Sequence, residues 1–226
     1  MRVEIHLVLS LTSPKKNTEK TIIQLKRIRS KYSGVLEISY DRGQKVLDSK
    51  NTSYSYGNLQ RVWDKALQEI SLRKTENVLI LGMGGGSSIE LLREKYGYTG
   101  KITAVELDPV IVQIADEEFD IRNGRDLKIH CMDAVEYVKK RVKKSDLILI
   151  DIFIDKHVPP AILTYDFWKN TASKTVLHGQ ILFNAFTDDD TLQEIRGWLE
   201  QWHFKVTIRT KVNGANTILY AQRMAE

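Results

Sequence analysis

The feature that most constrains this chain is a cluster of glycines between a strand pattern and a helix pattern. Gly82–Gly86 contains four glycines, interrupted only by Met83, and it directly follows the apolar run Val78–Leu81. A helical pattern begins near Ser87. Because glycine loses more conformational freedom on folding than any other residue, the cluster indicates that something must approach the backbone closely here. A strand, a tight turn and a helix in succession are typical of the ligand-binding edge of an open α/β sheet.

Strand and helix patterns alternate along the chain from residue 58 onward. Apolar runs such as Leu147–Ile150 are unbroken, as in parallel strands that helices cover on both faces. The last two strand patterns flank Asn213 and Gly214, a turn signal that joins antiparallel strands. The sequence therefore predicts an α/β fold: a doubly wound, Rossmann-like, mostly parallel seven-stranded sheet with an antiparallel C-terminal strand.

The first 57 residues follow a different pattern, and we expect them to form a small N-terminal β-rich unit, with residues 58–226 as the ligand-binding domain. Two short strand patterns flank Asp41-Arg42-Gly43, which indicates a hairpin. Residues 1–9 have the composition of a further strand. Ile22, Leu25 and Ile28 are spaced as on one face of a helix, so we expect a helix over residues 18–32.

Composition excludes several classes of protein. A single cysteine, Cys131, allows no intrachain disulfide and no multi-cysteine zinc site, so we expect no metal and a reducing, cytoplasmic location. No apolar run approaches the roughly 20 residues of a membrane span, and we expect no membrane partner. The net charge of +5 is mild and dispersed. The basic stretch Val138–Lys144 fits a solvated helix end better than a nucleic-acid contact.

Four acidic residues follow strand patterns and should therefore meet at one edge of the sheet. Glu106 ends the second strand, 20 residues after Gly86, where a carboxylate can accept hydrogen bonds from both hydroxyls of a ribose. Asp108 precedes Pro109 and fits a helix cap. Asp133 follows the third strand and could accept from an adenine amino group, cap its helix, or do both. Asp151 ends the fourth strand. Together they predict a nucleoside site.

The ligand of this site is not expected to be a dinucleotide. The glycine pattern is G-x-G-x-G, with Ser87 where the dinucleotide motif has its last glycine, and no phosphate-binding lysine of the P-loop type is present. The pattern resembles the S-adenosylmethionine-binding Rossmann-like fold of class I methyltransferases, whose last strand is antiparallel. The motifs "GMGGGSS", "VELDP", "MDAVEYV" and "LILIDIFIDKHVPPAILT" together resemble the spermidine synthase family from about Gly34 onward.

That resemblance implies roles for particular residues. The glycine loop (Gly82, Gly84, Gly85 and Gly86) would contact the cofactor, S-adenosylmethionine or its decarboxylated form. Glu106 would bind the ribose, Asp133 with Ala134 the adenine, and Asp151 the reacting end. Asp151 and Tyr56 are the candidate catalytic residues, although Asp151 could be a cofactor contact without proton chemistry and Tyr56 could pack the hairpin against the core. The resemblance also implies a small-molecule substrate, an amine being one class, and a homodimer.

The chain departs from the family pattern at three acidic positions. Gly85 stands where the family has the aspartate of its glycine loop, Asn58 replaces the glutamate of the Y-x-E motif, and Ile154 stands at the second aspartate of D-S-S-D-P. A diamine dication and an aminopropyl ammonium require fixed negative charge, and the carboxylate of intact S-adenosylmethionine is repelled by it. The losses favour intact S-adenosylmethionine and hence methyl transfer to an unidentified acceptor.

Three other functions remain open. Aminopropyl transfer to putrescine, the spermidine synthase reaction, is the first, with Asp155 as a shifted acid. The second is a nucleoside-binding protein without turnover, since the missing acids could also mean lost catalysis. The third is a nucleic-acid methyltransferase, which the excess of basic residues suggests. His157 lies in the loop after the fourth strand and could act as a base or be a solvated loop residue.

Overall fold

A computed structural model describes residues 22–41, 43–49, 53–55, 57–153 and 157–225 of the 226-residue chain. They form two β-sheets, one antiparallel with four strands and one mixed with seven. The α/β fold class predicted from the sequence is confirmed. The boundary expected at residue 57 between two units stays a prediction, and the strand expected over residues 1–9 lies outside the described residues.

The N-terminal sheet is a meander in the order β1-β2-β3-β4. The hairpin predicted around residues 41–43 is confirmed, because Asp41 pairs with Gln44 in an antiparallel register. The strands of this sheet are β1 (Ile22–Ser30), β2 (Gly34–Asp41), β3 (Gln44–Ser49) and β4 (Ser53–Ser55).

The helix expected over residues 18–32 is wrong, since residues 22–30 of that range form β1. The register of β1 shifts between Gln24 and Lys26, which leaves Leu25 as an extra residue in the strand. Such a bulge offsets the two-residue alternation of a strand by one position. Leu25 and Ile28, three residues apart, therefore both pack against the same apolar cluster, a spacing that imitates a helix.

The seven-stranded sheet has the order β10-β11-β9-β8-β5-β6-β7. β11 pairs antiparallel with both β9 and β10, whereas β5, β6, β7, β8 and β9 are mutually parallel. The predicted mostly parallel sheet with an antiparallel C-terminal strand is thus confirmed. Its strands are β5 (Asn77–Leu81), β6 (Lys101–Glu106), β7 (Leu127–Cys131), β8 (Ser145–Ile150), β9 (Thr175–Ala185), β10 (Phe204–Val212) and β11 (Asn216–Arg223).

Helices cover both faces of this sheet. The helices are α1 (Gly57–Gln68), α2 (Ser87–Glu90), continued by a π-helical turn (Leu91–Lys95), α3 (Pro109–Phe119), α4 (Ala134–Lys139), a short 3-10 helix (Pro160–Leu163), α5 (Tyr165–Ser173) and α6 (Asp189–Gln201). One core lies between the sheet and α4, α5 and α6, and a second lies between the sheet and α1, α2 and α3. In the described part of the chain, no helix combines the length and apolar character needed to cross a membrane.

Helix α3 also forms a third, smaller core with the N-terminal sheet. Ile111 and Ile114 pack against Leu36, Ile38 and Leu47 of that sheet, and these five side chains are almost completely buried. The opposite side of α3 contributes to the core on the main sheet. The helix that follows β6 therefore joins the two sheets and fixes the N-terminal sheet beside the carboxyl edge of β6.

Two glycines of the loop after β5 are required by close contacts within the protein itself. Gly82 has a φ of +86°, and a Cβ atom there would lie 2.2 Å from the backbone oxygen of Asp151. Gly86 has a φ of +93°, and its Cβ would lie 2.7 Å from a side-chain carbon of Ile121. At these two positions, the group that comes close to the glycine backbone is therefore another part of the same chain.

We expect Gly82→Ala to lower the free energy of unfolding by more than about 2 kcal/mol, because a left-handed backbone costs a non-glycine residue roughly 1–2 kcal/mol before the overlap is added. Gly197→Ala is the matched control. Gly197 lies within α6 with nothing within 4 Å of its missing Cβ. That substitution should raise stability by about 0.5–1 kcal/mol, the helix-propensity difference. Urea unfolding of both variants measures the contrast, and equal effects would contradict it.

Candidate active site

A cavity opens at the carboxyl edge of the main sheet, where β5, β6, β7 and β8 end. Most of the residues predicted to form the site line it together, namely Gly82, Gly84, Glu106, Asp133, Ala134 and Asp151. Its other walls are largely apolar and come from the turn between β1 and β2, from α1 and α4, from the segments that follow β6, β7 and β8, and from the 3-10 helix. These walls are Tyr32, Ser33, Leu59, Val105, Leu107, Asp108, Met132, Val135, Ile152, Phe153, Pro159, Ala161 and Ile162.

Glu106 is the buried carboxylate at the centre of this edge. Its Oε2 accepts a hydrogen bond from the Gly84 backbone N–H at 3.0 Å, and its Oε1 accepts one from the Asp108 N–H at 3.0 Å. Burial raises the pKa of Glu106, and the two N–H donors act in the opposite direction by favouring the ionised form. Each oxygen retains a further lone pair, so the group can still accept hydrogen bonds from hydroxyls in the cavity.

The backbone amides of the glycine loop are largely engaged within the protein. The Gly82 N–H donates to Val105 O at 2.9 Å, and the Gly86 N–H donates to Met83 O at 3.1 Å. With Gly84 bonded to Glu106, the amides of three loop glycines already have acceptors. This loop is therefore not a phosphate cradle, in agreement with the missing dinucleotide motif. Gly85 and Gly86 are buried and are not among the residues that line the cavity.

Asp108 connects the N-terminal sheet to this edge. Its Oδ1 accepts from Val110 N at 2.9 Å as the N-cap of α3, the role that the sequence favours for it. Its Oδ2 accepts from the hydroxyls of Ser30 and Ser33, the latter at 2.7 Å. The side chain is almost completely buried. The turn between β1 and β2 is thus fixed against the β6–α3 loop, which brings Tyr32 and Ser33 to the cavity wall.

Asp133 caps helix α4, since its Oδ1 accepts from Val135 N at 2.6 Å. The residue is exposed and lines the cavity together with Ala134, at whose position α4 begins. The capping role allowed by the sequence is present, and the same carboxylate faces the cavity. It can therefore combine the cap with a second hydrogen bond to a ligand.

Asp151 directly follows β8, beside the glycine loop. Its backbone N–H donates to Leu81 O at 2.8 Å, which fixes the end of β8 against the end of β5. Its Oδ2 accepts from the indole Nε1–H of Trp63 at 2.7 Å, and its Oδ1 accepts from Asn184 Nδ2 at 3.0 Å. Removal from water raises the pKa of Asp151 to about 6, and the two neutral donors only partly offset this. The carboxyl group therefore changes its charge close to neutral pH.

Sequence reasoning missed the two donors that hold Asp151. Trp63 reads as one apolar position of the helix α1, and Asn184 reads as a polar interruption in the strand Ile181–Ala185. Both side chains are completely buried. A buried indole N–H and a buried amide each require a partner, so the polar residue inside an apolar strand was the available signal.

Three further residues were singled out from the sequence. Tyr56 and Asp155 lie outside the described residues, and His157 is exposed. Phe153 lines the cavity and packs edge-on against Phe186, with ring centroids 6.2 Å apart. Within the described ranges, no cluster of three or more histidine, cysteine or acidic side chains could hold a metal ion.

Comparison with protein-family models shows which family this chain belongs to. Residues 66–189, more than half of the chain, match the family model described as the spermine/spermidine synthase domain. The chain belongs to this family. The matched segment runs from within α1 to the start of α6, so it contains the glycine loop, Glu106 and Asp151.

Two curated relatives represent two kinds of transferase. A polyamine aminopropyltransferase from Vibrio vulnificus is 33% identical over 117 residues, which are 50% of this chain and 39% of that protein. An eEF1A lysine and N-terminal methyltransferase from Mus musculus is 24% identical over 165 residues, which are 68% of this chain and 24% of that protein. The matches thus cover well under two thirds of either relative.

A solved structure supports the fold. A probable spermidine synthase from Corynebacterium glutamicum aligns with a TM-score of 0.72 at 19% sequence identity, over 87% of this chain and 79% of that one. The alignment confirms the fold inferred from the strand order, a methyltransferase-type sheet with a small N-terminal β-sheet.

We expect Asp108→Ala to lower the free energy of unfolding by about 3 kcal/mol. The variant loses a helix cap, worth about 1 kcal/mol, and leaves two seryl hydroxyls without their shared acceptor. Asp188→Ala is the control, because Asp188 caps α6 but is exposed. It should cost only about 1 kcal/mol. Thermal and urea unfolding measure the difference, and equal losses would mean that the contacts between the sheets contribute nothing.

Proposed function

We propose that this chain is an S-adenosylmethionine-dependent methyltransferase of spermidine-synthase-like type, acting on an acceptor for which an amine is the expected class. The observation that carries the proposal is Gly85, which stands where the family pattern has an aspartate. The cavity provides acceptors for a nucleoside, and the missing carboxylate removes the charge that would repel the carboxylate of an intact methionine tail.

The cavity is suited to the nucleoside half of S-adenosylmethionine. Glu106 would accept from the two ribose hydroxyls, and Asp133 would accept from the adenine amino group beside Ala134. Apolar side chains such as Leu107 and Ile162 would cover the flat faces of the base. The methionine tail would lie toward the glycine loop and Asp151, since Gly82, Gly84 and Asp151 form that end of the cavity.

The electrostatics of the loop favour the intact cofactor. Gly85 is buried and has no side chain, so the loop presents no fixed negative charge at this position. The decarboxylated form ends in an ammonium group alone, and such a group gains from a nearby carboxylate. The intact form adds a carboxylate of its own, which a loop aspartate would oppose.

When bound, S-adenosylmethionine supplies a methyl group activated by a sulfonium. An acceptor nitrogen would form its bond to that carbon as the carbon–sulfur bond breaks, and the bonding electrons go to sulfur. The acceptor amine must lose one proton overall. Asp151 is suited to accept this proton, because its carboxyl group titrates near pH 6 and lies at the reacting end of the cavity. In the same scheme Tyr56 is a substrate contact.

Aminopropyl transfer is the second candidate, and one observation favours it. The Vibrio vulnificus relative, named a polyamine aminopropyltransferase, shares 33% identity over 117 residues, which is the higher identity of the two relatives described above. The two reactions use the same sulfonium and differ in which of its carbons faces the acceptor. The mouse relative, named a methyltransferase, supports the first candidate.

Calorimetric titration with S-adenosylmethionine and with its decarboxylated form separates the candidates. We expect the intact form to bind at least about tenfold more tightly, equivalent to about 1.4 kcal/mol. Tighter binding of the decarboxylated form, with consumption of putrescine, would establish aminopropyl transfer instead. Binding of the intact form without product from a panel of amines would favour a nucleoside-binding protein, and binding of neither form would refute a cofactor site.

Gly85→Asp should reverse or strongly weaken this preference. Gly85 is not among the glycines with positive φ, so a side chain there meets no strain from a left-handed backbone. We expect the ratio of the two affinities to move by about tenfold or more toward the decarboxylated form. Gly85→Asn adds nearly the same volume without charge, and it should change both affinities in parallel. If both variants shifted the ratio equally, volume rather than charge would be responsible.

A further inference from the structure

Three polar side chains lie on the same face of three neighbouring strands beside the reacting end of the cavity. Ile150 of β8 pairs with Phe183 of β9, so Asp151 is level with Asn184. Asn184 in turn pairs with Ile218 of β11, which places Asn216 as its diagonal neighbour on the same face. This is the face that packs against α1. The polar group therefore forms the upper rim of the core that contains Trp63.

Hydrogen bonds connect these three side chains, and each donor faces toward Asp151. Asn216 Nδ2 donates to Asn184 Oδ1 at 3.0 Å, and Asn184 Nδ2 donates to Asp151 Oδ1 at 3.0 Å. Trp63 Nε1 donates to the other carboxylate oxygen, Asp151 Oδ2, at 2.7 Å. Asn184 and Trp63 are completely buried, whereas Asn216 is only partly buried.

We propose that Asn216, acting through Asn184, is a positioning residue that fixes the Asp151 carboxylate for proton acceptance. The inference rests on the proposed function, in which Asp151 takes the proton of the acceptor. Trp63 supports the same carboxylate from α1. None of the three contacts an acceptor in this scheme; they act on the orientation and charge of Asp151.

The two ends of an asparagine amide differ, because one is an acceptor oxygen and the other a donor NH₂ group, and a rotation by 180° exchanges them. Asn216 opposes this exchange at Asn184, because it donates to the oxygen of Asn184, and a rotated Asn184 would require Asn216 to rotate as well. While Asn216 donates, Asn184 directs its N–H at Asp151. Without Asn216, the amide of Asn184 could present its oxygen to the carboxylate, an arrangement that favours protonated Asp151.

Charged groups near Asp151 do not replace this control. The hydrogen bonds that stabilise its ionised form come from the uncharged Trp63 and Asn184. Glu106, Asp108 and Asp133 are the other carboxylates that line the same cavity, at or just after the ends of β6 and β7. On α1, the Asp64 carboxylate bonds to Lys95 and Tyr96 rather than to this group. Among the groups described around Asp151, the amides of Asn184 and Asn216 are therefore the ones that can change its orientation and its pKa.

The indole N–H of Trp63 provides a direct probe of Asp151. Protein labelled with ¹⁵N-tryptophan should give one indole signal for each of its four tryptophans. Single phenylalanine variants of Trp168, Trp198 and Trp202 identify the Trp63 signal by elimination, without removing Trp63. In a pH titration of the unliganded protein, that signal should move with a midpoint near 6, where Asp151 titrates.

We expect Asn216→Ala to raise this midpoint by about half to one pH unit, and Asn184→Ala to raise it by about one unit, because each weakens donation to the ionised carboxylate. In the Asn184→Ala background, Asn216→Ala should have no further effect, since it acts through Asn184. Asn170→Ala is the control, because Asn170 is a partly buried residue of α5 that donates to Asp166 O and lies outside this hydrogen-bonded group. It should leave the midpoint unchanged.

A midpoint that is unchanged in Asn216→Ala would overturn the inference, and so would an equal upward shift in the presence and absence of Asn184. Asn216→Asp keeps the shape of the side chain, and its carboxylate should draw the N–H of Asn184 away from Asp151. It should therefore raise the midpoint at least as much as alanine does, and a lower midpoint would also refute the role. The titration needs no cofactor, so failure of this inference is distinguishable from failure of the calorimetric test of cofactor binding.

Discussion

The pair of hydrogen bonds accepted by Glu106 holds the ligand-binding edge of this protein together. One oxygen accepts from the glycine loop after β5, and the other accepts from the backbone N–H of the residue that caps α3. Asp108, whose amide makes the second bond, carries the link onward to the serines of the N-terminal sheet. One buried carboxylate thus fixes the loop, the strand end and the neighbouring sheet relative to one another.

The carboxylates at this edge differ in the groups that satisfy them, and these differences separate their chemistry. Glu106 accepts from two backbone amides, which favour its ionised form, while burial raises its pKa. Asp133 caps a helix and is exposed. Asp151 has neutral side-chain donors, and burial raises its pKa to about 6. The three carboxylates therefore differ in their donors and their exposure, and not in the kind of acidic group they carry.

Much of this arrangement could be predicted from the sequence because it depends on local patterns. The unbroken apolar runs of β5 and β8 identified parallel strands, and the acids that follow strands had to meet at one edge. The helix expected around Leu25 and Ile28 was wrong because a bulge in β1 gives a strand the spacing of a helix. Trp63, Asn184 and Asn216 could not be assigned, since their partners come from α1, β8, β9 and β11. Such contacts depend on the packing of distant segments, to which local patterns do not extend.

The position of α3 between the two sheets has a consequence for how the cavity receives a ligand. Separating the sheets would expose Ile111 and Ile114 and would deprive Ser30 and Ser33 of their acceptor. Lys45, which bonds to Glu118 of α3 at 2.9 Å, would also lose its partner. The N-terminal sheet is therefore a fixed wall and not a hinged cover. The part of the cavity that this sheet lines is preformed, and a ligand that enters there gives up little free energy to reshape the protein.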